Sequence, residues 1–600
     1  MIYETRSLLD VLLLPKRLLD IRKDRLNAST RPFRKTTKIS LTPSLGGSYK
    51  YTKNPQFFDD FQQLKIACVM DDFSYSVYAP EGNFYQLSPS SWRNEIYQHN
   101  PDMLFIESAW RGKDSLWAGK IRHLSSELAD LIKYCRQRNI PTLFWNKEDP
   151  LHMDDFIETA QFFDYIFTTD INCIEAYKKR LSHDDIYLLP FSCQPKIHNP
   201  IEKYTRQNAM VFAGSYYRHY PERMKALDTF MLHLIPLIKI DIFDRNYGDD
   251  NIPFKFPDIY LPFIRGKLAY SEIDRAYKGY KYAINLNTIK DSSTMFARRI
   301  FELLASNTII VSNFSQGVQA IFGDLVISTD DSTRLAGQLK SCMNNELKTK
   351  KKKLLALRKV MTEHTAEERL RYIVAKVFGC NFDSTLPQIS VVGTVATNEQ
   401  LLKLLDNFER QTYKKKSLLI VASPTIAIHD IGSNKISVLY ADKDKSTKFV
   451  DLCNETSYIS GMIGDDYYGD NYLLDLALAT RYCDAHIIGK AAYYCLDEDK
   501  GELMLKNPEF SYHKVSSVAA RSCILMQRKL ASHSIVEWST ALIDTIYNEE
   551  NILSIDEFNY CRKTAIGNFT QADRNIVCDL SDIDIGCSID DIIFAAEKLS

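Results

Sequence analysis

The sequence predicts an α/β protein built from doubly wound parallel sheets, and three observations support this fold class. Short apolar, β-branched runs alternate with helical stretches from about residue 64 onward, as in parallel strands joined by helices. The alternation restarts near residue 209 and again near residue 387, so three units follow one another. A length of 600 residues holds about three or four domains of roughly 150 residues each.

The predicted domain limits follow from these restarts: a basic segment (1–60), a first sheet domain (61–205), a second (206–380) and a third α/β domain (386–600). Strands of the first domain are expected at 65–70, 103–106, 142–145, 165–168 and 186–189, with a helix within 118–137. Strands of the second are expected at 210–214, 239–243, 282–287, 308–311 and 325–328. One charged helix is expected across 346–377, with its lysine run facing solvent.

The first forty residues differ from the rest of the chain. They contain ten Lys and Arg against four Asp and Glu, a net charge of +6 (10 − 4), among many leucines. Pro15 interrupts the pattern, so two short helices are expected rather than one. A basic amphipathic segment of this kind binds an anionic membrane surface or docks on its own protein, and the sequence leaves both readings open.

Composition argues against several classes of protein. The net charge of −1 gives no sign of a nucleic-acid partner. The thirteen Cys form no CxxC pair, no secretory signal peptide is recognisable, and no apolar run is long enough to cross a membrane. We therefore expect a cytoplasmic protein, peripheral on the inner face of the cell membrane through its basic segment.

The most informative stretch runs from Thr294 to Asn313, TMFARRIFELLASNTIIVSN. Its apolar residues recur at three and four positions, which predicts a helix whose buried face includes Phe296, Ile300, Leu303 and Leu304. The β-branched run 308–311 then predicts a buried parallel strand. Arg298, Arg299 and Glu302 stand beside the apolar face. Arg299 and Glu302, three residues apart, either pair with each other or bind a ligand.

The pattern R-x-F-E-L-L-A-S-x-x-x-x-V-S-N on residues 299–313 resembles the donor-binding helix of GT-B glycosyltransferases. The most similar branch is the spore-maturation-protein-like group, often described as "glycosyl transferases group 1". The resemblance implies that Glu302 hydrogen-bonds the ribose of a nucleotide-sugar donor and that Arg299, beside Arg298, approaches the diphosphate. Many retaining enzymes of this fold carry a second Glu eight residues earlier, where this chain has Thr294.

Further donor-binding candidates lie earlier in the second domain. Gly214 and Ser215 end a strand just before a helix expected from Pro221, a position where phosphate approaches the backbone. Arg218 and Arg223 supply positive charge nearby. The resemblance also places Lys267, in a segment expected to open a helix, beside the nucleotide base.

Two polar segments follow strands of the first domain, where ligands of parallel sheets bind. They are ESAWRG (107–112) and NKEDPLH (146–152), and the same branch of GT-B enzymes shows similar "ESAW" and "WNKEDP" segments in the half that faces the acceptor. Glu148, Asp149 and His152 are therefore candidates for the acid/base side of the cleft, and with Arg299 they form the predicted catalytic set. Alternatively, Asp149 caps the next helix, with Pro150 in its first turn.

The third domain opens with ISVVGTVATNEQLLKLLDNFERQTYKKKSLLIV (389–421), which is similar to the start of GT-A, family-two glycosyltransferases. Residues 458–469 fall where those enzymes place a metal-binding Asp-x-Asp. Ile463 occupies the first Asp position, which leaves Asp465 and Asp466 as candidate ligands of Mn²⁺ or Mg²⁺. A later acidic pair is reduced to Glu537-Trp538. These losses predict a domain that keeps its fold without catalysis.

The predicted function is transfer of a sugar from a nucleotide-sugar donor to a glycan, polymer or lipid-linked glycan of the cell envelope. The chemistry is expected in the GT-B half, without a cofactor. One alternative makes the third domain the metal-dependent transferase and the GT-B half its scaffold. The other is a non-catalytic scaffold of a glycan-assembly pathway.

Overall fold

The computed structural model describes residues 63–249, 254–380, 383–426, 428, 434–454, 457–497, 499–562 and 569–599. The predictions about the basic segment 1–60 fall outside these residues. In the described part of the chain, no helix is long and apolar enough to cross a membrane.

A first sheet follows the predicted α/β alternation. Its strands are β1 (Lys65–Val69), β2 (Asn83–Gln86), β3 (Met103–Glu107), β4 (Thr142–Asn146), β5 (Tyr165–Thr168) and β6 (Ile186–Leu188). Its helices are α1 (Asp72–Tyr78), α2 (Trp92–His99), α3 (Ser126–Gln137), α4 (Met153–Ala160) and α5 (Cys173–Leu181). All strands are parallel in the order β2-β1-β3-β4-β5-β6. The short edge strand β2 was not predicted, and α3 begins later than expected.

A second parallel sheet has the order β11-β10-β9-β7-β8. Its strands are β7 (Gln207–Gly214), β8 (Ile240–Asp244), β9 (Tyr280–Asn285), β10 (Ile309–Ser312) and β11 (Ile327–Ser328). Its helices are α6 (Pro221–Leu234), α7 (Asp274–Lys278), α8 (Arg299–Ala305), α9 (Gln316–Phe322) and α10 (Ser332–Asn344). Helix α6 begins at the predicted proline, whereas Arg265–Leu268 opens no helix.

The predicted long charged helix is two helices, α11 (Glu346–Glu363) and α12 (Ala366–Phe378). The apolar face of α12, including Leu370 and Ile373, packs on the core of the first sheet, so the chain crosses back to the first domain. In the lysine run of α11, Lys348 is exposed as predicted, whereas Lys350 to Lys353 are buried or half-buried. Lys350 pairs with Glu557 at 2.9 Å, and the buried Lys351 donates to the carbonyl oxygen of Asn575 at 2.5 Å, so both contact the third domain and its C-terminal tail.

The third domain holds a mixed eight-stranded sheet and a four-stranded sheet. The first has the order β14-β13-β12-β15-β21-β17-β22-β20, and β12 to β15 are parallel neighbours within it. The strands, in chain order, are β12 (Ile389–Val395), β13 (Lys416–Ala422), β14 (Ile436–Tyr440), β15 (Tyr458–Gly461), β16 (Tyr467–Tyr468), β17 (Ile487–Gly489), β18 (Tyr493–Leu496), β19 (Leu503–Lys506), β20 (Lys514–Ala519), β21 (Cys523–Met526), β22 (Ile546–Ser554) and β23 (Tyr560–Arg562). The helices are α13 (Asn398–Glu409), α14 (Phe449–Leu452), α15 (Tyr472–Ala479) and α16 (Ile535–Ala541).

After the last strand, the chain returns to the first two domains through α17 (Gln571–Val577) and α18 (Ile589–Glu597). The backbone of Asp584 and Cys587 hydrogen-bonds to Asp324 and Ala320 of the second domain. Helix α18 then packs beside β6, and Ala596 joins the core of the first domain. The predicted third domain, 386–600, therefore includes a tail that belongs to the packing of the other two.

The predicted fold class is confirmed: two Rossmann-like parallel sheets are followed by a further mixed α/β unit. The carboxyl ends of the first two sheets face one another, which is the arrangement of the GT-B fold. Residues that follow β1 and β5 contact residues that follow β9, as described next.

Candidate functional site

A cleft lies where the first two sheets meet. Across it, the Arg298 guanidinium stacks over the ring of Phe73, 4.3 Å from the ring centroid. Thr294 Oγ1 donates to the carbonyl oxygen of Thr169 at 2.9 Å and accepts from the amide of Ile171 at 2.9 Å. Thr294, at the position where the resemblance implies a second Glu, is thus a buried contact between the two domains.

Helix α8 begins at Arg299 rather than near Phe296, because residues that precede it contact the first domain. Its Glu302 is 1% exposed and accepts a hydrogen bond from Tyr277 Oη at 2.7 Å. Arg298 forms a salt bridge with the same carboxylate. Burial alone would raise the pKa of Glu302, but the charge of Arg298 and the Tyr277 hydrogen bond lower it to about 2. Glu302 is therefore a charged acceptor at neutral pH.

Three arginines converge near the start of α8. The side chain of Arg223 is buried, and its Nε and Nη1 have no hydrogen-bond partner in the described structure. Nε of Arg299 is likewise buried and unpaired among the described residues. Burial, together with the nearby charges of Arg299 and Arg245, lowers the pKa of Arg223 to about 10. Buried guanidinium nitrogens without partners are costly, so this cluster is arranged to receive an anion.

The other donor candidates of the second domain lie at the edge of this cluster or away from it. Gly214 ends β7, and a Cβ there would lie 2.9 Å from the ring of Phe212. The buried Ser215 accepts a hydrogen bond from Asn246 at 3.0 Å. Arg218 is exposed and donates to the carbonyl oxygen of Lys255 at 3.2 Å. Lys267 is exposed in a loop. The structure therefore does not join Arg218 to the arginine cluster.

On the opposite side of the cleft, Glu148 and His152 lie beside an exposed aromatic ring. Trp110 contacts His152 edge to face, with 5.1 Å between ring centroids, and the His152 amide donates to the carbonyl oxygen of Glu148 at 3.1 Å. Burial raises the pKa of Glu148, and its charge acts on Tyr220 of the second domain. A raised carboxyl pKa suits proton transfer near neutral pH. His152 Nδ1 lies 2.7 Å from a carboxylate oxygen of Asp155.

The structure contradicts the acid/base role predicted for Asp149. This residue is fully buried, and its carboxylate accepts hydrogen bonds from Asn146 at 2.7 Å, Thr168 at 2.6 Å and Tyr177 at 3.2 Å. It also caps no helix, because α4 begins at Met153 after His152. Asp149 instead holds the ends of β4 and β5 together beneath the cleft.

The predicted metal pair is also not assembled. Asp466 is 2% exposed, and its carboxylate is bound by the Arg521 guanidinium and by Tyr560 Oη at 2.8 Å. The side chain of Asp465 is half exposed, 3.8 Å from Lys403. Among the described residues, no group of three or more His, Cys, Asp or Glu is placed to hold a metal ion. One of the two expected metal ligands, Asp466, is therefore already held in a buried ion pair with Arg521.

Sequence reasoning missed two residues of the site. Arg245 directly follows β8, so its position at the end of a parallel strand was the available signal. Desolvation and the charges of Arg299 and Arg298 lower the pKa of Arg245. His198 is buried near Glu302, burial lowers its pKa to about 4, and its Nε2 has no partner among the described residues. No sequence pattern marked His198.

Residues 232–375 match the family model described as "Glycosyl transferase-like". The match covers most of the second domain together with α11 and nearly all of α12, so this part of the chain is glycosyl transferase-like, in agreement with the predicted enzyme class. A comparison with curated proteins finds no match to the chain.

Several solved structures are distantly similar in fold. A mutant of S. aureus TarM, in complex with Fondaparinux, alpha-GlcNAc-glycerol and UDP, is 12% identical over 47% of this chain and 57% of TarM, with a TM-score of 0.33. Anabaena HepE in complex with UDP is 11% identical over 53% of this chain and all of HepE, with a TM-score of 0.34. A UDP-forming trehalose-phosphate synthase from Burkholderia xenovorans is 11% identical over 51% of this chain and 79% of its own, with a TM-score of 0.32. The chain spans little more than half of TarM, and likeness at this level carries no functional argument.

Proposed function

We propose that the protein is a glycosyltransferase that binds a nucleotide-sugar donor in the cleft between its first two domains. The observation that carries this proposal is the cluster of Arg223, Arg245 and Arg299, in which Arg223 and Arg299 have buried guanidinium nitrogens without a partner among the described residues. A diphosphate supplies several charged acceptor oxygens and would satisfy them. The match of residues 232–375 to a glycosyl transferase-like model supports the same conclusion.

In this proposal each side of the cleft has one task. The arginines stabilise the negative charge that develops on the leaving diphosphate, so the transfer itself needs no metal ion. Glu302 accepts hydrogen bonds from the ribose hydroxyls. The salt bridge from Arg298 must then leave part of the Glu302 carboxylate free for the ribose. Glu148, with its raised pKa, accepts the proton of the acceptor hydroxyl, and His152 lies beside it.

We further propose that the third domain is a GT-A-like unit without catalysis of its own. The parallel strands β12 to β15 support a nucleotide-binding ancestry. Leu542 fills the space against Gly461, where a Cβ would lie 2.3 Å from its side chain, and Arg521 neutralises Asp466. The domain's role would be to position a glycan, polymer or lipid-linked acceptor of the cell envelope.

Donor binding tests the proposal directly. We expect UDP, titrated calorimetrically into the protein, to bind, and Glu302→Ala to raise the Kd about ten- to hundredfold. A buried ribose hydroxyl loses a charged acceptor worth about 1.5–3 kcal/mol in this variant. Arg223→Ala should weaken UDP by a similar factor. The matched control is Glu272→Ala, which removes an exposed carboxylate of the same domain, paired with Arg275 at 3.3 Å. Unchanged affinity in a folded Glu302→Ala protein would remove the ribose assignment.

The basic segment 1–40 adds a second proposal, that the enzyme is peripheral on the cytoplasmic face of a membrane. Its net charge of +6 (10 − 4) supports attraction to anionic lipid. Deleting residues 1–40 should abolish co-sedimentation with phosphatidylglycerol vesicles while UDP affinity stays the same. Neutral phosphatidylcholine vesicles serve as the control. Equal vesicle binding by both proteins would favour docking of the segment on the protein's own surface.

A further inference from the structure

The loop that follows β3 is held rigidly beside the cleft. Asp71, 15% exposed, accepts hydrogen bonds from the amides of Trp110, Arg111 and Gly112 at 3.2, 3.0 and 2.8 Å. Lys147, itself buried, pairs with Asp71 at 2.7 Å and with Glu107 at 2.9 Å. The loop therefore carries its side chains on a fixed backbone.

The rest of the loop is anchored by a buried tryptophan and contains strained backbone conformations. Trp117 is fully buried and donates through its indole nitrogen to the carbonyl oxygen of Leu87 at 2.7 Å. Gly112 has a φ of +66°, and a Cβ there would lie 2.9 Å from Trp117 Cβ. Asp114 and Ser115 are non-glycine residues with φ values of 53° and 61°. Such conformations persist only where the surroundings impose them, and they concentrate at ligand sites.

Three side chains of this loop, Trp110, Arg111 and Lys113, form what we call the acceptor rim. Trp110 is 37% exposed, whereas the other four tryptophans of the chain are buried. Arg111 and Lys113 are exposed and form no ion pair with any described residue. The neighbouring Lys120 and Arg122, in contrast, pair with Glu127 and Asp155. Of these four neighbouring cations, only Arg111 and Lys113 lack an ion pair within the described part of the chain.

We propose that the acceptor rim binds an anionic glycan, a sugar chain that carries phosphate or carboxylate groups. The inference rests on the proposed function and names the acceptor class for the same cleft. An exposed indole face packs against the apolar face of a sugar ring, as aromatic side chains do with other planar apolar surfaces. Arg111 and Lys113 lie one and three residues from this ring and supply charge-assisted contacts to the acidic groups.

The position of the rim relative to the chemistry supports this assignment. Trp110 contacts the ring of His152, and the His152 backbone amide donates to the carbonyl oxygen of Glu148, the proposed proton acceptor, at 3.1 Å. Glu148 in turn acts electrostatically on Tyr220 of the donor-binding domain. A sugar stacked on Trp110 would therefore place a hydroxyl beside Glu148 while its acidic substituents extend toward Arg111 and Lys113.

Three trisaccharides test the proposal: mannotriose, mannotriose carrying one phosphate monoester, and trigalacturonic acid. Binding is followed by calorimetry and by the change in tryptophan fluorescence that is absent from Trp110→Ala, with the full chain and UDP present. At least one anionic trisaccharide should bind about tenfold more tightly than mannotriose. The preference should shrink as salt is added, because exposed charges are screened. Comparison of the two anionic arms shows whether phosphate or carboxylate is preferred.

Variants separate the two parts of the rim. Arg111→Glu with Lys113→Glu should abolish the preference for the anionic ligands and leave UDP affinity unchanged. Trp110→Ala should weaken all three trisaccharides about tenfold. Lys133→Glu with Lys179→Glu makes the same charge change on helices α3 and α5 and should have no effect. Equal affinity of the wild-type protein for all three trisaccharides would overturn the proposal. Absence of UDP binding would instead overturn the proposed function.

Discussion

Arg299→Ala should lower kcat/KM for sugar transfer at least 100-fold, about 2.7 kcal/mol of transition-state stabilisation. The buried Nε of Arg299 has no described partner, so its interaction with the leaving diphosphate is the contact that the variant removes. The fold should not suffer. Arg299 forms no salt bridge within the described residues, and its removal relieves repulsion with Arg223. Initial rates with saturating acceptor, together with the thermal unfolding midpoint, measure both effects.

The control for this variant is Arg275→Ala, which removes an exposed arginine of the same domain paired with Glu272. A second comparison addresses the metal alternative. EDTA should leave the transfer largely intact, and Asp465→Asn should cost less than tenfold in rate, under about 1.4 kcal/mol. Asp466 is unsuited to this test, because its replacement would break a buried ion pair. Metal-dependent transfer that survives Arg299→Ala would place the chemistry in the third domain.

Arg358→Met should reduce the free energy of unfolding of the third domain by about 3–5 kcal/mol. Arg358, on α11, binds Asp475 at 2.8 Å and Asp579 at 3.0 Å, and all three side chains are largely buried. Without the guanidinium, two carboxylates stay buried and uncompensated. Urea unfolding followed by the fluorescence of Trp538, the tryptophan of the third domain, measures the loss.

Adding Asp475→Asn and Asp579→Asn to Arg358→Met should restore part of this stability, because neutral amides then replace the two buried, uncompensated carboxylates. Arg275→Met, at an exposed pair, should change the free energy of unfolding by no more than about 0.5 kcal/mol. A loss below about 1 kcal/mol in Arg358→Met would show that water reaches the two carboxylates in the folded protein.

Apart from the short edge strand β2, the strands of the first two sheets could be predicted, because parallel strands buried on both faces are continuous apolar runs. Their order along the chain also located the cleft, since ligands bind beyond the carboxyl ends of such strands. The start of α8 could not be predicted. Residues 292–298 continue the helical periodicity, but Ser292 and Thr294 bond to the other domain, and this tertiary contact overrides local preference.

The candidate site was predicted in part, and the errors share a physical origin. Asp149 and Glu148 are adjacent in sequence, yet only the folded chain shows that one points into the sheet. The pairing of Asp466 with Arg521 joins residues 55 positions apart, and no local pattern announces it. Arg245 is a single basic residue after a strand. Its role in the site can be recognised only from the folded chain, in which Arg223 and Arg299 lie nearby.

The return of the chain's last helix to the first domain has a consequence for how this protein can be divided. Helix α18 contributes Ala596 to the first core, and Glu597 pairs with Lys376 of α12 at 2.5 Å. Cutting the chain near residue 385 would thus expose apolar surface on a domain far away in sequence. For this reason the third unit cannot be removed or exchanged as an independent domain. We therefore expect the three units to be stable only when they are expressed as one chain.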